Sequence, residues 1–380
     1  MRILIVKLSS IGDVVHTLPA AALLRRSLPG ARLSWVVERR AGAILQGSPA
    51  IDDLIEIDTR ALRRRPASRS TLEEVRDYAA RLRGASERER IDVAIDFQGL
   101  IKSGLVTRMS GAIRRIGFET REMREPPGRL FLTEQIATSH LTHVIDKNIA
   151  LASAALAAGT PSGGDCPPPL PDPLSTLYEF PIEVSPDDEL HARGAMAERF
   201  AIVNPGGGWP TKLWPAERFA QVADGLWVEH GISSLITYGP GEEGLARRVQ
   251  KASETGAARA VDSTIKQFVA LARRAELFVG GDTGPLHIAA ACGTPIVGLY
   301  GPTAPERNGP FDPLDITLGR DIWCRPGCHR RSCWHWECMD IPVSDVLNAI
   351  TLRLARRSAR AGLDSSSGGP GETLNRLKNL

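Results

Sequence analysis

The 380-residue chain lacks several features that would place it among membrane or secreted proteins. It has no apolar run near the ~18 residues that a transmembrane helix needs, so no membrane span is predicted. Its apolar start, MRILIVKLSSIGD, is interrupted by Lys7 and has no small-residue cleavage site. This pattern favours a first strand over a signal peptide, and we therefore expect a cytoplasmic protein.

The chain also has no internal repeat at a solenoid period, no Walker motif and no paired C-x2-C knuckles. Four of its six cysteines, Cys324, Cys328, Cys333 and Cys338, are spaced C-x3-C-x4-C-x4-C. A zinc site, a disulfide-clipped or redox-labile loop, and simple packing all stay open for them.

Charge is distributed unevenly along the chain. Residues 1–150 hold 25 Lys and Arg against 18 Asp and Glu, whereas residues 151–380 hold 22 against 26. The two parts therefore carry formal charges of +7 and −4. A basic first part suggests that an anionic partner binds there, although solvated helix faces explain the same excess.

Short apolar strands alternate with helical patterns in both halves of the chain, as in RILIVKL, LSWVVE and DVAIDFQG and then FAIVNPGGG, SSLITYGP and LFVGGDTG. This alternation is typical of parallel sheets covered by helices on both faces. We therefore predict an α/β chain of two Rossmann-like, doubly wound domains that face a central cleft. The predicted boundaries are residues 1–170, a Pro- and Gly-rich linker at 171–198, residues 199–350, and a helix end with a disordered tail at 351–380.

In such folds ligands bind beyond the carboxyl ends of the strands, so the strand-to-helix loops carry the candidate site residues. The loop after the first strand, KLSSIGDVVHT, places Ser10, Gly12 and Asp13 there. Asp13 is a candidate general base, because it is a short carboxylate at a rigid strand end. A capping or turn role for Asp13 is equally open.

The loop NPGGGWPTKLWP is a candidate anion site in the second half. Gly206, Gly207 and Gly208 allow backbone N–H groups to approach an anion, and Lys212 adds a positive charge just beyond them. A glycine-rich turn with a surface lysine is the alternative.

The stretch GGDTGPLHIAAACGTPIVGLYGPT predicts a phosphate site at a helix N-terminus. Asp282, Thr283 and Gly284 follow an apolar strand, and Pro285 suits the first helical position. The N–H groups of such a first turn bind a diphosphate without a metal. His287 is a possible donor to a phosphate oxygen or a packing residue.

A competing interpretation comes from YGPGEEG, where Gly239, Gly241 and Gly244 spell G-x-G-x-x-G and Asp262 lies where a ribose-binding acid is expected. That pattern favours a dinucleotide-binding dehydrogenase. Its position after the second strand of its domain, where the fingerprint belongs after the first, argues against that reading.

The segments KLSSIGDVVHTLPA, DFQGLIKSGLV, NPGGGWPTKLWP and GGDTGPLHIAAACGTPIVGLYGPT together resemble the ADP-heptose:lipopolysaccharide heptosyltransferases of glycosyltransferase family 9. The resemblance is greatest to the heptosyltransferase I branch, although the cysteine segment looks more like the heptosyltransferase II side. It implies a GT-B fold and inverting transfer from ADP-L-glycero-D-manno-heptose to Kdo-lipid A in lipopolysaccharide core biosynthesis. It implies no metal and no other cofactor, and which heptose is added stays open.

The resemblance also implies roles for individual residues. Asp13 matches the catalytic base, Lys212 the ligand of the donor phosphates and Glu242 the acid that meets the nucleoside. The donor-binding set is Gly206, Gly207, Gly208, Lys212, Glu242, Asp282, Thr283, Gly284 and His287, and the acceptor-binding set is Ser10, Gly12, Arg60, Arg63, Arg64 and Arg124.

Basic residues of this kind suit the phosphates and carboxylates of the acceptor and a loose, peripheral association with the inner face of the inner membrane. We predict no nucleic-acid partner and leave the oligomeric state open. The remaining alternatives are an NAD-dependent dehydrogenase and another GT-B protein such as a sugar-nucleotide epimerase.

Overall fold

The computed structural model describes residues 1–59, 69–83, 90–157, 178–195, 199–324, 328 and 330–364. The chain divides into two compact units, Met1–Glu183 and Val184–Leu380. The domain boundaries predicted from the sequence stay a prediction. Within the predicted linker, Pro186–Ala195 form a helix, and residues 171–177 and 196–198 lie outside the described residues.

The first unit contains a six-stranded parallel sheet in the order β3-β2-β1-β4-β5-β6. Its strands are β1 (Arg2–Val6), β2 (Arg32–Glu38), β3 (Asp53–Ile57), β4 (Val93–Asp96), β5 (Arg114–Phe118) and β6 (Glu134–Ile136). Its helices are α1 (Ile11–Val15), α2 (Leu18–Ser27), α3 (Arg39–Gly42), α4 (Arg69–Arg83), α5 (Ile101–Met109) and α6 (Val144–Ala157).

The second unit contains another six-stranded parallel sheet, in the order β12-β11-β10-β7-β8-β9. Its strands are β7 (Phe200–Asn204), β8 (Ser233–Thr237), β9 (Ala258–Val261), β10 (Leu277–Gly281), β11 (Ile296–Leu299) and β12 (Ile316–Leu318). Its helices are α7 (Pro186–Ala195), α8 (Ala216–His230), α9 (Glu243–Ala252), α10 (Ile265–Arg274), α11 (Gly284–Ala291), α12 (Pro305–Asn308) and α13 (Val343–Asp364).

The central strands are buried on both faces, which explains their continuous apolar sequences. Residues 3–6 of β1 and all of β7 and β10 are buried. Local signals set the ends of several helices. Thr264 and Gln267 form a capping box at the start of α10, and Gly231 ends α8 with a φ of 63° that favours glycine.

The strand order places one switch point in each sheet, where the connections of neighbouring strands leave in opposite directions. In the first unit it lies between β1 and β4, which pair from Ile3↔Val93 to Val6↔Asp96. In the second it lies between β7 and β10, which pair from Ala201↔Leu277 to Asn204↔Gly280. The predicted α/β class with two doubly wound sheets is confirmed. The loops that carry Asp13, Lys212 and Asp282 follow β1, β7 and β10, which all lie at a switch point. None of the described helices is long and apolar enough to cross a bilayer.

Candidate active site

Asp13 lies at the carboxyl end of β1, inside the single helical turn of α1 that the sequence did not predict. The backbone N–H and the hydroxyl of Ser10 both donate to Asp13 Oδ2, at 2.8 and 3.1 Å. No described residue donates a hydrogen bond to the other oxygen, Oδ1. One oxygen therefore fixes the loop, and the other is open to accept a proton.

Gln98, which the sequence analysis did not single out, holds the loop that carries Asp13. Its Oε1 accepts the N–H groups of Leu8 and Ser9 at 2.9 and 3.2 Å, and its Nε2 donates to the Ser9 carbonyl at 2.7 Å. The signal that would have identified it is its place in DFQG, directly after the neighbouring strand β4. Gln98 therefore fixes the backbone just before Ser10.

Asp96, the last residue of β4, holds the DFQG turn in place and is fully buried. It accepts the N–H groups of Gln98 and Gly99 at 2.9 and 3.2 Å and the hydroxyl of Ser103 at 3.0 Å. Burial raises the pKa of Asp96 to about 6, although these hydrogen bonds and the charge of Lys7 act to lower it. Lys7 is itself buried and donates to the carbonyl of Phe97 at 2.7 Å.

Arg124 of the predicted acceptor set is exposed, and no described residue pairs with it. The next residue ties this segment to the loop after β4, because the Glu125 N–H donates to the Gly99 carbonyl at 3.2 Å. The Glu125 carboxylate in turn accepts the N–H of Ile101 at 2.8 Å. Among the described residues Arg124 is thus an unpaired cation on a segment that is hydrogen-bonded to the loop after β4.

Arg60, Arg63 and Arg64 lie outside the described residues. The described residue before them, Thr59, hydrogen-bonds to the carboxylate of Glu38 at the carboxyl end of β2. Lys102 pairs with the same carboxylate at 3.3 Å. Lys102 is therefore a further cation at this edge of the sheet, and sequence reasoning missed it.

In the second unit, Lys212 lies against Asp282. Its Nζ donates to Asp282 Oδ2 at 2.6 Å and to the Asp282 carbonyl at 2.8 Å, and the Trp209 ring centroid is 4.3 Å away. Gly281 permits this approach, since an added Cβ there would lie 3.3 Å from the Lys212 carbonyl. Lysine has three N–H donors, so one is left for a ligand.

Asp282 is almost completely buried and accepts further hydrogen bonds on Oδ1. His287 Nε2 lies 3.1 Å from that oxygen, and the Asn308 side-chain amide donates to it at 3.0 Å. Burial alone would raise the pKa of Asp282, but the hydrogen bonds and charges of His287 and Lys212 hold it well below its usual range. Asn308 was missed, because it lies in the short helix α12 away from any recognised motif.

The N-terminus of α11 is open to a ligand. Thr283 is the N-cap residue, yet its hydroxyl donates to the Gly281 carbonyl at 3.2 Å and does not cap the helix. Gly284 and Pro285 form the start of the helix, so the first-turn N–H groups and the positive end of the helix dipole are available to an anion. His287 and Lys212 both lie beside this terminus, through their contacts with Asp282.

Glu242 connects the two glycine-containing loops. Its carboxylate accepts the N–H of Gly207 at 3.2 Å and the N–H of Gly239 at 2.9 Å. The Cβ of any larger residue at Gly206 would overlap that carboxylate, whereas Gly208 faces open space. Of the backbone N–H groups predicted to bind an anion, that of Gly207 is thus already bonded to Glu242. The N–H of Gly239, the first glycine of the G-x-G-x-x-G pattern, is bonded to the same carboxylate.

The five described cysteines are free thiols, Cys292, Cys324, Cys328, Cys333 and Cys338. In the part of the chain that the structure describes, no three Cys, His, Asp or Glu side chains have the spacing that a metal ion needs. Cys338 is buried beside Gly301, where an added Cβ would lie 3.3 Å from its sulfur.

The chain is similar in sequence and in fold to known proteins. Residues 79–335 match the family model for glycosyltransferase family 9 (heptosyltransferase). The chain is 29% identical over 339 residues to lipopolysaccharide heptosyltransferase 1 of Pseudomonas aeruginosa, covering 88% of this chain and 87% of that protein.

Two solved structures show the same fold. The structure of the E. coli heptosyltransferase WaaC with ADP has a TM-score of 0.73 at 24% identity and covers 93% of this chain and 100% of that one. The WaaC structure with ADP-2-deoxy-2-fluoro heptose has a TM-score of 0.71 at 24% identity, with 92% and 99% covered. The GT-B type of fold is confirmed, and the family match confirms the resemblance. The chain belongs to glycosyltransferase family 9, the heptosyltransferases.

Proposed function

We propose that the protein moves a heptose, with inversion and without a metal ion, from ADP-L-glycero-D-manno-heptose to the Kdo-lipid A inner core of lipopolysaccharide. The observation that carries the proposal is the placement of Lys212, held by Asp282, beside the open N-terminus of α11 at a switch point. The relatives named above support the choice of donor and pathway, since one is a lipopolysaccharide heptosyltransferase 1 and another holds an ADP-heptose analogue.

The second unit supplies the groups for the donor diphosphate. The first-turn N–H groups of α11 and the remaining N–H of Lys212 stabilise the negative charge that develops on the leaving ADP. Asp282 does not bind the diphosphate in this scheme, because its carboxylate and a phosphate are both negatively charged and repel each other. It is a positioning residue. Its charge holds Lys212 and His287 in place instead.

The first unit supplies the base. The acceptor hydroxyl attacks the anomeric carbon from the face opposite ADP and loses its proton to Asp13 Oδ1, while the bond from that carbon to the diphosphate breaks. Arg124, Lys102 and the arginines at 60, 63 and 64 suit an acceptor that bears phosphates and carboxylates. We infer that the reaction takes place on the cytoplasmic side of the inner membrane, where the protein is peripheral.

The test is to incubate the protein with ADP-heptose and Kdo-lipid A and to measure the product by mass spectrometry and ADP release. We expect one heptose to be added per acceptor, with release of ADP that depends on the acceptor, and little product with Asp13→Asn. Absence of product with an intact, ADP-binding protein would refute the proposed substrates. The dehydrogenase alternative is not favoured. Binding of NADH without any binding of ADP would support it.

A further inference from the structure

Two tryptophans on the second unit are almost completely exposed. Trp323 and Trp334 keep 85% and 89% of their accessible surface, whereas Trp35 and Trp214 keep 0% and 2%. Large aromatic side chains seldom stay this exposed without a partner, because burying each one removes a large apolar area from water. The two side chains therefore indicate an interaction surface.

The two tryptophans form one surface. The ring centroid of His335 lies 4.8 Å from that of Trp334 and 6.2 Å from that of Trp323. Arg330 and Arg331 are exposed on the same segment. We call these five residues, Trp323, Arg330, Arg331, Trp334 and His335, the basic tryptophan patch.

Between the exposed acids Asp321 and Glu337, the segment that carries the patch is basic. From Trp323 to Trp336 the sequence contains three arginines and two histidines, and neither Asp nor Glu. Tryptophan side chains prefer the boundary between lipid headgroups and acyl chains, and each arginine near an anionic membrane strengthens binding about fivefold. This combination fits a negatively charged bilayer better than an apolar protein groove.

The patch is joined to the loop that carries Lys212. The Thr211 hydroxyl donates to the Arg330 carbonyl at 2.6 Å, and the Trp336 indole N–H donates to the Leu213 carbonyl at 3.1 Å. The guanidinium of Arg331 also lies 5.5 Å from the centroid of the Trp209 ring, which Lys212 contacts. A surface bound by the patch is therefore close to the candidate diphosphate site.

We propose that the basic tryptophan patch docks on the surface of an anionic lipid bilayer. Docking there holds the loop of Lys212 at the membrane, where a lipid-linked acceptor resides. That consequence rests on the proposed function, which also makes the protein peripheral on the inner membrane. The identity of the surface that contacts the bilayer does not depend on that function.

The experiment is sedimentation of the full chain with vesicles of phosphatidylethanolamine and phosphatidylglycerol, and with vesicles of phosphatidylcholine alone. We expect binding to the anionic vesicles that weakens as salt rises from ~0.1 to ~0.5 M, because salt screens the arginines. The double variant Trp323→Ser/Trp334→Ser should lower the partition coefficient about tenfold or more. The matched control is Trp227→Ser on α8, a tryptophan that is 42% exposed outside the patch and should change it less than twofold.

Further measurements on the same variants separate the possible outcomes. ADP affinity and the unfolding midpoint of the double variant should match those of the wild type, which excludes misfolding as the cause of lost vesicle binding. Unchanged vesicle binding by the double variant would overturn the proposal, as would a dimer that the double variant dissociates, because a second copy would then cover the patch. Transfer to a deacylated, water-soluble acceptor should be equal in both proteins, and its absence in both would contradict the proposed function while leaving membrane docking intact.

Discussion

The two units have the same strand order. Each places a buried aspartate at the carboxyl end of the strand that pairs with its first strand at the switch point, β4 in one unit and β10 in the other. Asp96 ends β4 and is 0% exposed, and Asp282 follows β10 and is 5% exposed. Their pKa values are displaced in opposite directions. Burial raises the pKa of Asp96 to about 6, whereas the pKa of Asp282 is held well below its usual range despite its burial.

The difference comes from the donors in direct contact with each carboxylate. Within the described part of the chain, the donors to Asp96 are neutral groups of Gln98, Gly99 and Ser103, and the ammonium of Lys7 donates to the Phe97 carbonyl. Asp282 contacts Lys212 at 2.6 Å and His287 at 3.1 Å. Paired charge therefore outweighs burial at the same topological position. In the proposed reaction the base is another aspartate of the first unit, Asp13, whereas the buried aspartate of the second unit holds the cation Lys212.

The largest effect should follow from the change Asp13→Asn, which removes the proposed base. We expect kcat to fall about 10²- to 10⁴-fold, the usual contribution of a general base, while the KM for ADP-heptose stays within about twofold. Ser10→Ala should cost much less, because the backbone N–H of Ser10 still holds the carboxylate. Steady-state assays of ADP release measure both constants. Retention of more than about a tenth of wild-type kcat by Asp13→Asn would assign the base to another residue.

Lys212→Met tests whether the ion pair of the second unit holds the diphosphate. Removing one partner of a buried pair leaves Asp282 short of a cation, so the free energy of unfolding should fall by about 3 kcal/mol. The affinity for ADP should fall about 100-fold, as expected for loss of a charge-assisted hydrogen bond in a protected site.

The matched control for this change is the double variant Lys212→Met/Asp282→Asn. It has no unpaired carboxylate, so it should regain much of the stability but none of the ADP affinity. Urea unfolding and calorimetric titration with ADP measure the two quantities separately. Recovery of ADP binding in the double variant would show that Lys212 acts only on Asp282 and not on the ligand.

The sequence predicted the elements that carry strong local signals. The alternation of buried strands and helices, the loop of Asp13 and the helix start at Gly284 all follow from periodicity and from glycine and proline placement. The three-residue strands β6 and β12 were missed, because so few residues show no periodicity. Gln98 and Asn308 were missed for another reason. Each acts through contacts with residues distant in the sequence, 89 and 26 positions away.

The two buried aspartates should also respond differently to pH. The pKa of Asp96 is raised in the folded state. The contribution of this group to the free energy of unfolding is therefore fully present below about pH 4 and is lost as the pH rises through about 6. The pKa of Asp282 is lowered in the folded state, so its contribution to the free energy of unfolding has the opposite pH dependence. That contribution is present above about pH 4 and is lost as the pH falls.

Asp96→Asn isolates the first of these effects. Between pH 4 and 8 the variant should gain up to about 3 kcal/mol in the free energy of unfolding relative to the wild type, because its side chain never ionises. Denaturant unfolding at a series of pH values gives this difference directly. A difference that is flat across that range would mean that Asp96 titrates near its ordinary pKa.

The smallest effect concerns the loops that Glu242 connects. A methyl group at Gly206 would overlap the Glu242 carboxylate, so Gly206→Ala should displace it from the N–H groups of Gly207 and Gly239. We expect the affinity for ADP to fall about tenfold, the value of about one hydrogen bond to a charged group. Glu242→Gln should have a similar effect.

The control for Gly206→Ala is Gly244→Ala, because Gly244 faces open space in the first turn of α9. An alanine there should leave ADP affinity unchanged and stabilise the helix by roughly 0.5–1 kcal/mol. Gly244 is also the last glycine of the G-x-G-x-x-G pattern, so the same variant tests the dinucleotide interpretation. If Gly244→Ala weakened nucleotide binding as much as Gly206→Ala, the nucleotide would lie on the loop after β8, and the assignment of the diphosphate to the N-terminus of α11 would fail.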